Sequence, residues 1–278
     1  MTIDRKFWLR SFSNNSFPDW FCPRCYEGIL KPIENGFQYG ETGDTQRGII
    51  DSGGSLRNSD RTFHYSVLLY CDKCGECVAS GGTGFVDENM VRENGEIIFD
   101  AAGNPETDFT ELFSPEFFYP PIHIFHISHQ CPKEVKKEII ASFNLFFTNP
   151  SASANSVRKV IEKILDAEGI TRSTKNGGFL RLDGKPGEPS RINFFEQKLT
   201  ANNQETKIIE YFRAIKFIGN DGSHDDEITK GDVLDAYGIL EKLILEDLYV
   251  KGRQKTENLA AKIVAAKKPL SKVKNSGN

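Results

Sequence analysis

Two short stretches decide how this chain is read: Phe21-Cys22-Pro23-Arg24-Cys25 and Tyr70-Cys71-Asp72-Lys73-Cys74-Gly75-Glu76-Cys77. Each holds a Cys-x-x-Cys turn, the spacing at which two thiolates reach one tetrahedral ion. Proline inside the first turn and glycine after the second suit that geometry. Paired, they form a zinc ribbon, with Cys22, Cys25, Cys71 and Cys74 as ligands of a structural Zn²⁺, because a four-thiolate site leaves no open position for catalysis. Two features sit awkwardly with a minimal ribbon. The 45 residues between Cys25 and Cys71 require a long hairpin or loop, and Cys77 offers a second pairing with Cys74. The sixth cysteine, Cys131, precedes a proline at a helix start and reads as a half-buried thiol. The first ten residues carry no apolar signal core, so a metal site in a reducing, cytoplasmic compartment is expected rather than a disulfide framework.

Around the knuckles the chain has strand character. Tyr65–Tyr70, Gly84-Phe85-Val86 and Glu96–Phe99 are short apolar runs bounded by turn residues. Gly81-Gly82-Thr83-Gly84 lacks the Gly-Lys-Ser/Thr ending of a phosphate loop and reads as a turn after the ribbon. The aromatic, proline-rich run from Phe113 to Pro121 reads as an extended connector pressed on the following domain. His123, His126 and His129 recur every third residue, but on an extended segment they need not converge, and no metal is expected there.

After Pro132 the apolar period becomes helical. Val135, Ile139, Ile140, Phe143 and Phe146 share one face, and Asn149-Pro150 ends that helix. Ser151 or Ser153 caps the next, whose stripe is Val157, Val160, Ile161, Ile164 and Leu165. A loop over 171–189, with a small hairpin at Phe179–Leu182, leads to a short helix from Ser190 to Leu199. A third long helix runs from about Gln204 to Ile218 and stops at Gly219-Asn220-Asp221-Gly222. A fourth runs from Lys230 to Val250. Four such stripes can bury one another in a bundle. The expected architecture is therefore α+β: a zinc-ribbon β region with a long insertion over 1–121, a helical bundle over 122–250, and a basic, disordered tail over 251–278.

Charge follows the same division. The net charge is -4, yet residues 251–278 hold eight Lys or Arg against one Glu, leaving the rest near -11. A uniformly basic nucleic-acid surface is excluded, and a local basic tail is not. With 38% hydrophobic and 27% charged residues and no long apolar run, no membrane association is expected.

The order of these features resembles the bacterial family called domain of unknown function 4145. The matching residues are the two knuckles, the proline-rich connector, the Arg158-x-x-x-Glu162 pair and Lys216-Phe-Ile-Gly-Asn-Asp-Gly-Ser-His224. The resemblance extends to the HEPN (higher eukaryotes and prokaryotes nucleotide-binding) superfamily. It implies an HEPN-like helical bundle that forms homodimers in bacterial anti-phage or stress-response systems, with RNA, a nucleotide or another defence protein as partner. Active HEPN ribonucleases carry an arginine, a polar residue, three variable residues and a histidine, and work without metal. His224 then acts as general acid/base and Asn220 fills the polar position, while Arg158 on another helix offers charge for the phosphate. The arginine position itself is Gly219. The expected function is an RNA- or nucleotide-binding module with a degenerate nuclease motif. The alternatives are a metal-independent ribonuclease using His224 and a non-catalytic adaptor. Lys216, beside the motif, and Lys251, Arg253 and Lys255, opening the tail, are the candidate phosphate contacts.

Overall fold

Thr62–Cys71 shows how the sequence makes the sheet. Phe63, Tyr65, Val67, Leu69 and Cys71 are buried, and the residues between them are exposed. A period of two lays one face on the core and leaves the other open. In the computed structural model this segment is the second strand of a four-stranded antiparallel sheet of order β1-β2-β3-β6. The strands are β1 (Leu30–Glu41), β2 (Thr62–Cys71), β3 (Cys77–Met90) and β6 (Thr107–Tyr119). A small hairpin, β4 (Arg92–Glu93) with β5 (Glu96–Ile97), lies between β3 and β6. The structure describes residues 3–94, 96–101, 103–174, 176–185, 188–202, 206–221, 228–243 and 248.

The long interval between the knuckles is β1, a helix and β2. Helix α2 (Gly43–Asp51), capped by Thr42, joins the two strands. Because β1 and β2 pair antiparallel with Leu30 opposite Cys71, the chain leaves the first knuckle and returns to the second at the same end of the sheet. The glycines at 81, 82 and 84, expected as a turn, lie inside β3. Their missing side chains make room for neighbours: a Cβ on Gly81 would stand 2.6 Å from the Phe117 ring, and one on Gly84 would stand 2.6 Å from the Phe113 ring. The run expected as a connector is likewise strand, the second half of β6, with a register shift at Gly81/Gly82 that admits Pro115.

The helices are α1 (Arg5–Leu9), α3 (Lys133–Phe146), α4 (Pro150–Ala167), α5 (Arg191–Ala201), α6 (Ile208–Asp221) and α7 (Lys230–Lys242), so the described residues are α+β, a sheet followed by a helical region. Pro150 opens α4 at its first position, and Asn149 caps it by accepting from the Ala152 N–H at 2.9 Å. Ser153, expected as a cap, is buried instead. Its Oγ and that of Ser142 each lie 2.8 Å from the hydroxyl of Tyr237, which is fully buried, and this trio joins α3, α4 and α7. Ser190 caps α5, and a Thr229/Asp232 capping box opens α7.

Sheet and helices share one contiguous core. The Phe118 ring of β6 packs 5.0 Å from Phe147 after α3 and 4.9 Å from Trp20. Although α1 precedes the sheet in sequence, it docks on the helices: Arg5 pairs with Asp235 of α7 at 3.0 Å, and Trp8 packs on Phe147.

Candidate metal centre and helical motif

The antiparallel β1–β2 pair brings the knuckles face to face. The Sγ atoms of Cys22, Cys25, Cys71 and Cys74 all lie within 4.8 Å of one another, so the four can hold a metal ion. Cys22 to Cys74 and Cys25 to Cys71 are each 3.6 Å, too long for a disulfide and close to the ~3.8 Å edge of a tetrahedron whose ion–sulfur bonds are about 2.3 Å. Cys77 begins β3, exposed and outside this group.

The two knuckles repeat one backbone plan. In each, the residue after the second cysteine is left-handed (Tyr26, φ 60°; Gly75, φ 72°), and its N–H donates to the carbonyl of the first cysteine at 3.1 Å. The turn then aims N–H groups at sulfur. Arg24 donates to Cys22, Gly28 to Cys25, and Lys73 and Cys74 to Cys71, all at 3.4 Å. Such donors orient sulfur and stabilise it as thiolate. N–H donation from Glu27 and Gly28 pulls the Cys25 thiol down to about 6, whereas burial pushes Cys22 up to about 12. A bound cation overrides that difference by holding both as thiolates.

Residues that the sequence did not single out lock the knuckles together. Asp72 accepts from the Ile29 N–H at 2.8 Å and donates its own N–H to the Ile29 carbonyl at 3.1 Å. Arg24 with Glu76 and Lys73 with Glu27 form exposed pairs between the turns. A Cβ at Gly28 would run into Cys71 Sγ and Asp72 Oδ1, so the close approach requires glycine. The glycine three residues past Cys25 is the one sequence signal that marks this latch. Tyr26 carries the knuckle to the helices, its ring 4.9 Å from His123 and 5.1 Å from His126, with His123 in turn 5.5 Å from Phe143. These histidines are packing groups in the described structure. Burial holds His123 down at about 4, and its buried Nδ1 has no hydrogen-bond partner among the described residues.

The helical motif is laid out differently from the expectation. Helix α6 does not stop at Gly219 but continues through Asp221. Gly219 is buried against α4, where an added Cβ would stand 2.5 Å from Arg158 Cβ and 3.0 Å from the Ala154 carbonyl. Arg158 and the Gly219 turn are thus brought together. The Arg158 guanidinium makes a 3.4 Å pair with Glu162, and its buried Nε has no partner among the described residues. Lys216 pairs with Asp183 at 3.4 Å, and Arg213 is 3.7 Å from the same carboxylate and 3.3 Å from Glu196. Both cations tie α6 to the loop before α5. Asn220 lies in the last turn of α6 and Asp221 ends the described part of the motif, while His224, Lys251, Arg253 and Lys255 lie outside the described residues.

Among the described residues no helix is long and apolar enough to cross a membrane. No curated protein and no solved structure matches the chain. Two family models do. Residues 10–118, which carry the four clustered cysteines, match a domain of unknown function, DUF8608. The second match, DUF4145, a domain of unknown function, covers residues 141–276 and takes in α4, α6, α7 and the basic segment, so the family match expected from the sequence falls on the helical part of the chain.

Proposed function

We propose that this protein is a non-cleaving RNA- or nucleotide-binding module of a bacterial anti-phage or stress-response system, built on a structural zinc centre. The observation that carries the reading is the Gly219–Arg158 contact. The position where an HEPN ribonuclease has its arginine is a helix–helix contact here, with no space for any side chain. The cations around it are already paired with carboxylates: Lys216 and Arg213 on α6, and Arg158 of α4 with Glu162. A motif without its arginine retains a polar helix end for ligand contacts and lacks the charge that would stabilise a pentavalent phosphate in the transition state.

Zn²⁺ is the ion that suits four cysteines converging within one coordination shell, and its chemistry there is structural. Cys22 and Cys25 fix the entry to β1, and Cys71 and Cys74 fix the turn from β2 to β3, so the sheet is closed at one end. The basic segment 251–278 supplies salt-sensitive attraction to phosphates, through Lys251, Arg253 and Lys255 among others.

The experiment is incubation of several RNA classes with the full-length protein in EDTA, with His224→Ala in parallel. RNA recovered intact from both, and retarded on a native gel, is the expected result. Cleavage by the wild type that disappears in His224→Ala overturns the non-cleaving reading and makes the protein a metal-independent ribonuclease. Intact RNA that neither protein retards favours the adaptor reading, with a second protein in place of the nucleic acid.

A further inference from the structure

The sheet packs on the core through one face, and its other face is open among the described residues. Register places Tyr70, Leu68, Ser66, His64 and Thr62 of β2 on that outer face. Opposite them on β3 lie Cys77, Ala79, Gly81, Thr83 and Phe85. Beyond these on β6 are Tyr119, Phe117 and Leu112, and on the other side β1 adds Lys31 opposite Tyr70. The large residues here are exposed: Leu68 and Tyr70 by 41%, Phe117 by 46% and Tyr119 by 74%.

Two details set this surface apart from incidental exposure. The first is the glycine under Phe117. With Gly81 directly opposite, the Phe117 ring lies across the strand where a side chain would stand, its edge carbons within 3.0 Å of the missing Cβ position. A ring laid flat on a sheet offers its face to solvent. The second is charge. The chain has 39 acidic residues, yet none occupies the positions around the rings, where the basic side chains are Lys31 and His64; carboxylates border the face only at its margins, Asp87 and Asp108 beyond Phe85 and Asp19 beside Lys31. An aromatic patch with no carboxylate among its rings, on an otherwise acidic body, suits a ligand that is apolar in its rings and anionic in its backbone.

We infer that the outer face of the sheet, with Tyr70, Phe117 and Tyr119 as stacking rings, binds the unpaired bases of single-stranded RNA. This rests on the RNA-binding reading of the protein and gives it a surface. Bases present π-faces that stack on aromatic rings with little regard to sequence. The β2 and β6 columns are separated by one strand, about 10 Å, so a single strand lays separate bases on Tyr70 and on the Phe117–Tyr119 pair. Lys31, at the edge of the face, meets the backbone. Its pairing with Asp19 is exposed, and a phosphate displaces that carboxylate at little cost. Duplex RNA hides its bases and cannot use the surface.

The test is fluorescence anisotropy of the full-length protein with a labelled, unstructured oligoribonucleotide and with its duplex. The variants are Phe117→Ala/Tyr119→Ala, the conservative Phe117→Tyr/Tyr119→Phe, and Phe179→Ala as an exposed aromatic elsewhere. The alanine pair is expected to weaken single-strand binding at least tenfold with an unchanged melting temperature, while the conservative pair and Phe179→Ala bind as the wild type does. The wild type is expected to prefer the single strand over the duplex. Wild-type binding that the alanine pair leaves intact overturns this surface and leaves the RNA-binding reading standing. No binding by the wild type at all overturns both. A dimer that dissociates in the alanine pair with RNA affinity unchanged identifies the face as a contact between copies and also overturns the proposal.

Discussion

Gly219 shows how a residue identity can be legible while its reason is not. From sequence, glycine before Asn-Asp-Gly reads as a helix stop. In the structure the helix runs on, and the glycine serves the contact between α6 and α4. Packing overrides local propensity here, since a helix tolerates one glycine at roughly 1 kcal/mol when tertiary contact requires it. His123 is the opposite case, a residue whose chemistry only burial reveals. Buried between Tyr26 and Phe143, it is held at about 4 against an ordinary 6.5. Its folded pKa lies below its unfolded one, so the unfolded chain takes up the proton first as pH falls. The neutral imidazole's contribution is complete above pH 6.5 and is lost progressively toward pH 4, by up to about 3 kcal/mol in total. His123→Phe keeps the ring contacts and removes the titration. Chemical denaturation between pH 7 and pH 4 should show the variant gaining on the wild type across that window. Parallel pH profiles would mean that His123 is not a buried neutral group.

At the scale of elements, the knuckles are readable because a Cys-x-x-Cys turn is a local device whose geometry lies in four residues. What joins them is not readable, since the pairing of β1 with β2 is set by a register 41 residues apart at Leu30 and Cys71. The strand β6 escapes a sequence reading for a related reason. Its Pro115 and clustered aromatics look like a connector, and only the bulge opposite Gly81/Gly82 accommodates the proline within the sheet. Helix faces are legible throughout, because a 3.6-residue stripe is a local pattern. Most helix starts are legible too, at Lys133, Ser190 and Lys230; that of α4 is not, because Asn149-Pro150 reads as the end of one helix and is also the cap and first residue of the next. The element-level prediction concerns Cys71, which ends β2 and is one of the four cysteines that can hold a metal ion. Cys71→Ser should lose the ion and several kcal/mol of stability, read by metal analysis and by thermal unfolding followed at the sheet aromatics. Full metal content with unchanged melting would remove Cys71 from the ligand set.

For the whole molecule, the cysteine cluster, the sheet and the described helices share one contiguous core. Tyr26 connects the first knuckle to His123 and α3, Phe118 connects β6 to Phe147, and α1 ties the start of the chain to Asp235 of α7. The chain before residue 251 is acidic, and the basic charge lies in residues 251–278. On the proposed function, that separation would leave the basic segment to attract phosphates and the sheet to present a defined surface to them. The most direct measurement of this account is native mass spectrometry of the full-length protein with a short single-stranded RNA. One zinc ion per chain, with the cysteine protons displaced and the RNA bound at full length, is the predicted spectrum. A metal-free chain, or RNA recovered as fragments, would contradict it.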